Sequence, residues 1–255
     1  MLPRPHHRHR LSAARSAAAL ITAAALTALA ARPADAQSQP PRLDTSRVRV
    51  GPLLFDRTEV SIANFVRFAE ATGAVTRAER EGGGFEYVGG WQRRPGWTWR
   101  TPDGVAPASE DLPAVHLTHE EAEAYCRWAG GRLPTAAEWI NAAYTEQRAA
   151  PPAPFVRGTT YRYPTGNTPQ GANTNGTDTW PRASPTGATV EGVNGLYDMG
   201  ANVWEWVSDT QGGDRRTMGG SWWYGAEQMR AEVNAWKAAD FYAVYIGFRC
   251  VAQAD

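Results

Sequence analysis

Lysine is almost absent from this chain: Lys237 is the only one in 255 residues, and arginine carries the rest of the positive charge. No basic run lies beyond the N-terminal stretch, which argues against a nucleic-acid partner. Histidine is scarce where it would matter for metal chemistry. Of the five histidines, only His116 and His119 lie past residue 36. His119-Glu120-Glu121 lacks the second histidine of a zinc-protease helix. His116, ahead of an apolar segment, is expected to be structural, and His119 to face solvent in the first turn of a helix. A two-histidine, one-carboxylate iron site asks for more than this chain clearly offers, so iron stays open. There is no Gly-x-Ser-x-Gly elbow and no phosphate-cradling glycine loop. Ser221 has no histidine with a reason to be near it, and Asp209 and Asp214 read as solvated loop acids.

No apolar run reaches the ~20 residues needed to cross a bilayer. Ala17 to Ala31 falls short of it, follows the basic Arg8, Arg10 and Arg15, and precedes the small-x-small pattern Ala34-Asp35-Ala36. That is the build of a cleavable export signal over residues 1–36, with Gln37 as the new N-terminus and no membrane anchor after cleavage. Removal takes five arginines and one acid, which leaves 21 basic against 25 acidic residues and a mature chain about four units acidic. Residues 37–47 read as a flexible lead-in and 48–255 as one domain, periplasmic or extracellular. In an exported chain the two cysteines, Cys126 and Cys250, read first as a disulfide; two buried free thiols are the alternative.

Val48 to Asp56 is apolar and β-branched and predicts a strand. Ile62, Phe65, Val66 and Ala69 recur at helical spacing, between a Ser61 N-cap and a Gly73 stop. Thr118 and Glu121 form a capping box ahead of a helix to about Trp128, and Thr135 and Glu138 form another ahead of a helix ending near Thr145. Gly82 to Gly96 shows no helical period. Gln147 to Val193 is dense in Pro, Gly, Asn and Thr, yet Tyr161, Tyr163 and Trp180 argue against plain disorder, so something must organise it. Short strands are expected over Thr217–Trp223 and Ile246–Val251.

Three segments carry more specific information. They are Pro113-Ala-Val-His-Leu-Thr with Ala124-Tyr-Cys-Arg-Trp-Ala-Gly-Gly-Arg-Leu-Pro-Thr-Ala-Ala-Glu-Trp139; Gly195-Leu-Tyr-Asp-Met-Gly-Ala-Asn-Val-Trp-Glu-Trp206; and Gly219-Gly-Ser221 with Gly247-Phe-Arg-Cys250. In this order they resemble the formylglycine-generating enzyme, or sulfatase-modifying-factor, family. Thr72-Gly73, Thr76 to Glu79 and Trp99 to Gly104 extend the likeness, which covers nearly all of Val48 to Val251. The resemblance implies an α+β, loop-rich single domain of C-type-lectin-like topology and a Cys126–Cys250 disulfide. It also implies structural calcium at two places. One uses the side chains of Asp198 and Glu205 with the carbonyls of Ala201 and Val203. The other uses Asn173 and Asp178 with the carbonyls of Thr174 and Trp180, and would organise the long loop. Mixed carboxylate, amide and carbonyl oxygens suit Ca²⁺.

The family's enzymes oxidise a substrate cysteine on Cu(I) held by two thiolates. Those two positions fall on Tyr224 and Met229, and an expected Asn falls on Tyr245. A phenol and a thioether do not replace two thiolates, so copper-dependent formylglycine generation is not expected. Ser221, Trp222, Trp223, Tyr224, Met229 and Tyr245, with Trp204 nearby, occupy the family's substrate cleft, and such a set suits a peptide or small-molecule ligand. Two functions follow. One is an exported oxidoreductase with non-standard chemistry on a peptide or siderophore-like substrate. The other is a non-catalytic, lectin-like binding module using the aromatic cleft.

Overall fold

A computed structural model describes residues 46–254 apart from 176 and 177; the segment expected to be an export signal and most of the expected lead-in lie outside these residues. The predicted first strand is two. Gly51, at φ 58°, turns the chain between β1 (Arg47–Val50) and β2 (Leu53–Asp56), a left-handed conformation open to glycine at little cost. Helix α1 (Ile62–Thr72) starts where Ser61 accepts from the Asn64 amide and stops at left-handed Gly73. A capping box, Thr76 with Glu79, opens the one-turn α2 (Arg77–Arg80). The glycine-rich segment that showed no helical period is a hairpin, β3 (Gly83–Tyr87) and β4 (Trp91–Pro95), turned at Gly89-Gly90.

Helices α3 (His119–Trp128) and α4 (Ala136–Tyr144) carry both expected capping boxes. Such a cap stabilises a helix by roughly 1 kcal/mol. After the long loop come β5 (Trp204–Gln211), β6 (Asp214–Met218), β7 (Asn234–Ala238), β8 (Ile246–Gly247) and β9 (Val251–Gln253). The order β7-β6-β5-β8 forms the largest sheet, antiparallel except for the β5–β8 edge, and β9 closes the β1-β2 hairpin into a three-stranded sheet. The strand expected over Thr217–Trp223 therefore ends at Met218. Gly219 and Gly220 turn it away at φ 96° and 79°. A side chain at Gly219 would lie 3.0 Å from the Met199 carbonyl oxygen. The strand expected over Ile246–Val251 is two short pieces in different sheets.

Between helices and sheet, Phe65, Phe68, Trp99, Tyr125 and Phe248 pack ring on ring, with Phe65 and Trp99 centroids 4.8 Å apart. Cys126 on α3 and Cys250 just before β9 are both fully buried and joined as a disulfide. His119 corrects the expectation of a solvent-facing residue. It is 4% exposed, because its ring enters between α3 and β5, with Nε2 3.0 Å from the Val207 carbonyl oxygen and the ring edge-on to Trp206. His116 is structural as expected. Its Nε2 sits 2.9 Å from the Pro102 carbonyl oxygen, and burial lowers its pKa to about 4, so the ring is neutral.

Asparagines organise much of the long loop. Asn194 accepts from the Gln147 amide and donates to the carbonyls of Ala142 and Thr145, which fastens the loop's two ends to α4. Asn202 donates to Glu59 and accepts from Asn173 and the Ser184 amide. These contacts meet the backbone and side-chain demands of a segment with almost no ladder pairing.

Candidate functional site

The segment after Gly219-Gly220 returns into the core. The Trp222 amide donates to the Asn202 carbonyl at 2.8 Å, and the Tyr224 amide to Ser221 at 2.9 Å. Tyr224 meets Trp204 at 5.9 Å and Tyr245 at 6.3 Å between ring centroids, and Trp222 meets Tyr245 at 6.5 Å. Trp204, Ser221, Trp222 and Tyr245 are all buried; Tyr224 is half-buried and Trp223 is 36% exposed.

The seven residues assigned to one cleft therefore do not line one. Met229 lies apart, fully buried in a small cluster with Tyr163, Ala172 and Ala201. Its methyl group packs beside Gly200, where an added Cβ would stand 3.1 Å away. Filling an irregular gap is what a flexible thioether does well. Burial pushes the Tyr224 phenol above its usual pKa, so at neutral pH it presents no anionic oxygen. A neutral phenol and a core methionine do not fit Cu(I) where the family uses two thiolates. Among the described residues, no three His, Cys, Asp or Glu side chains stand together in a way that would hold a metal ion.

One open feature lies beside this core. A pocket of ≈ 760 Å³ is lined by Trp180, Trp222 and Trp223 with Thr174, Asn175 and Asp178. Asp178 staples its wall, accepting from the amides of Thr174 at 2.7 Å and Trp180 at 2.9 Å. Two buried polar atoms here have no partner in the protein: Nε1 of Trp222 and Oδ1 of Asn173. Both are closed off from solvent, and a buried donor or acceptor left unmade costs free energy.

The two implied calcium sets differ. At Asn173, Thr174, Asp178 and Trp180 the oxygens are of the kind Ca²⁺ takes and the Asn173 amide oxygen has no protein partner, while both oxygens of Asp178 already accept from backbone amides. At Asp198 and Glu205 both carboxylates already have protein partners. Asp198 accepts from the Gly187 amide at 2.6 Å and from the Thr189 hydroxyl at 2.5 Å. Glu205 accepts from Trp139 at 2.8 Å and, through both oxygens, from Arg249. Ala201 belongs to the same left-handed turn, at φ 67°, and Val203 donates its amide to Glu59.

Glu59 is the residue that sequence reasoning missed. It is buried against Asn202 and Val203, and burial, with Asp198 and Glu205 nearby, drives its pKa well above the usual carboxylate range. Its only sequence signal is an acid set between Phe55 and Ile62, in a run where Val60 and Ile62 are core.

With this geometry in place, the comparisons are unambiguous about kinship. The sulfatase-modifying factor enzyme 1-like domain matches residues 20–254. The chain belongs to that family. It is similar to the formylglycine-generating enzyme of Thermomonospora curvata, 31% identical over 81% of this chain and 84% of the relative. Similarity to the mouse protein named inactive C-alpha-formylglycine-generating enzyme 2 is 31% over 81% and 77%. Hercynine oxygenase of Mycolicibacterium thermoresistibile is 30% identical over 72% of this chain and 49% of its own length. Among solved structures, PvdO from Pseudomonas aeruginosa aligns with a TM-score of 0.58 at 22% identity, covering 79% of this chain and 80% of that one, a likeness of fold. The fold is the loop-rich α+β domain of this family, whose members include an oxygenase and a protein named inactive.

Proposed function

We propose that this chain is an exported, ligand-binding member of the sulfatase-modifying factor family in which copper-dependent formylglycine chemistry is absent. It acts outside the cytoplasm, in the periplasm or beyond, and holds a peptide or small aromatic ligand in the pocket walled by Trp180, Trp222 and Trp223. The observation that carries this reading is the open pocket walled by three tryptophans, one of them, Trp223, 36% exposed. Indole rings in its walls suit an aromatic ligand. Calcium at Asn173 and Asp178 would fix the turn that forms one wall; when bound, it supplies charge and rigidity, not chemistry.

Tryptophan fluorescence titration with tyrosine-containing peptides tests this, in calcium and again in EDTA. Saturable quenching, weaker in EDTA, is expected. Trp223→Ala is expected to raise Kd by up to about tenfold, the worth of one aromatic pair. No saturable quenching with any peptide, or equal affinity in Trp223→Ala, contradicts the reading.

A second reading, an oxidoreductase with non-standard chemistry, is favoured by the likeness to hercynine oxygenase over 72% of the chain. Oxygen uptake with a peptide thiol or a siderophore-like phenol would favour it over the first.

A further inference from the structure

Lys237 is the one ε-amine in the chain, and it stands apart from the pocket above. It sits half-buried on β7, an edge strand. Its Nζ lies 5.9 Å from the ring centroid of Trp91 and 5.9 Å from that of Phe241. These two rings meet edge-on at 4.7 Å, so together they form a corner around the amine.

What surrounds the amine is apolar or already engaged. Arg215 is its register partner on β6 and so shares its face, a like charge alongside. Asp240, near in sequence, pairs with Arg77 at 2.5 Å. Glu81 accepts from Arg77, Arg93 and the Tyr242 hydroxyl. Arg93 lies over Phe85, which stacks on Phe241. Among the described residues, no carboxylate pairs with Lys237. Desolvation disfavours the ammonium form and lowers the pKa of this amine. The ring faces favour the ammonium and desolvation the free amine; with no acid to hold the proton, the second effect acts in the direction that makes a lysine nucleophilic toward carbonyls.

On the open side, Trp91 is 43% exposed and Tyr87 is 43% exposed, their rings 5.4 Å apart. The tip of the β3–β4 hairpin thus presents an aromatic surface directly beside the amine.

We propose that Lys237 is a carbonyl-capture site for small aromatic aldehydes, with the aldehyde's ring packed against Trp91. The Nζ lone pair attacks the carbonyl carbon and a C–N bond forms. One nitrogen proton passes to the oxygen, and the carbinolamine then loses its hydroxyl group with the remaining nitrogen proton as one water, leaving a C=N bond. Nothing is oxidised or reduced, and the step reverses by hydrolysis.

Having only one lysine makes the test direct. Purified protein is mixed near neutral pH with benzaldehyde and with Nα-acetyl-lysine amide as an internal reference. Imines are trapped with borohydride and read by intact mass and peptide mapping. Lys237 is expected to be modified several-fold faster than the reference. Lys237→Arg should retain only adduct at the N-terminal α-amine, and Trp91→Ala, a half-exposed hairpin position, should lose most of the advantage. A rate equal to the reference, or an unchanged advantage in Trp91→Ala, overturns the proposal.

Discussion

Replacing Cys126 with alanine, or reducing its bond to Cys250, is expected to lower the free energy of unfolding by about 5 kcal/mol. The two cysteines stand 124 residues apart, so the cross-link closes a loop holding α4, the long irregular segment and all four strands of the main sheet. On the chain-entropy account, a loop of that length removes close to the largest amount of unfolded-state freedom a single disulfide removes. Both positions are fully buried, so no partner outside the core takes over the constraint. Domains of this size hold only about 5–15 kcal/mol in total, so the reduced protein would sit near its stability threshold. Urea unfolding of oxidised and reduced protein measures the difference. Coincident midpoints would show that the bond constrains nothing. The same expectation bears on where the protein works, because a chain that depends on this bond belongs in an oxidising compartment.

Arg249→Met is expected to cost about 3–5 kcal/mol, through charge rather than volume. Arg249 and Glu205 are 0% and 1% exposed at their side chains. The guanidinium donates to both oxygens of Glu205 and to the carbonyls of Asp56, Arg57 and Tyr197. Removing it leaves Glu205 and the raised carboxyls of Glu59 and Asp198 close together without the one cation that faces them. The double variant Arg249→Met with Glu205→Leu is expected to recover part of the loss, since no uncompensated charge then remains at that pair. Urea midpoints of the single and double variants provide the check; a double variant worse than the sum of its parts would place the energy in packing instead.

The helices were legible because their signals are local. A threonine followed three residues later by glutamate fixes a helix start whatever surrounds it, and this held at Thr118 and Thr135. The disulfide was legible from export and cysteine count. The strands were not. β5 runs through Trp204, Glu205 and Trp206, all buried, so it shows no alternation of apolar and polar residues. Its glutamate is core only because Arg249 reaches it from a distant segment. The β3–β4 hairpin is hidden by its glycines, one of which, Gly84, lies against the His116 ring. The cleft failed for the same reason. A run such as Trp222-Trp223-Tyr224 does not reveal which rings face inward until the Gly219-Gly220 turn sets its direction, and Met229 was carried into the core by a turn of chain beyond it.

The proposed function requires that this family scaffold work without a thiolate copper centre. It is tested most directly by loading the purified mature protein with Cu(I) in competition with a thiol chelator, while recording oxygen uptake in the presence of a cysteine-containing peptide. No stoichiometric copper is expected to be retained, and oxygen is expected not to be consumed above the peptide-only rate. One tightly held copper per chain, with oxygen consumed in proportion to peptide, would contradict it.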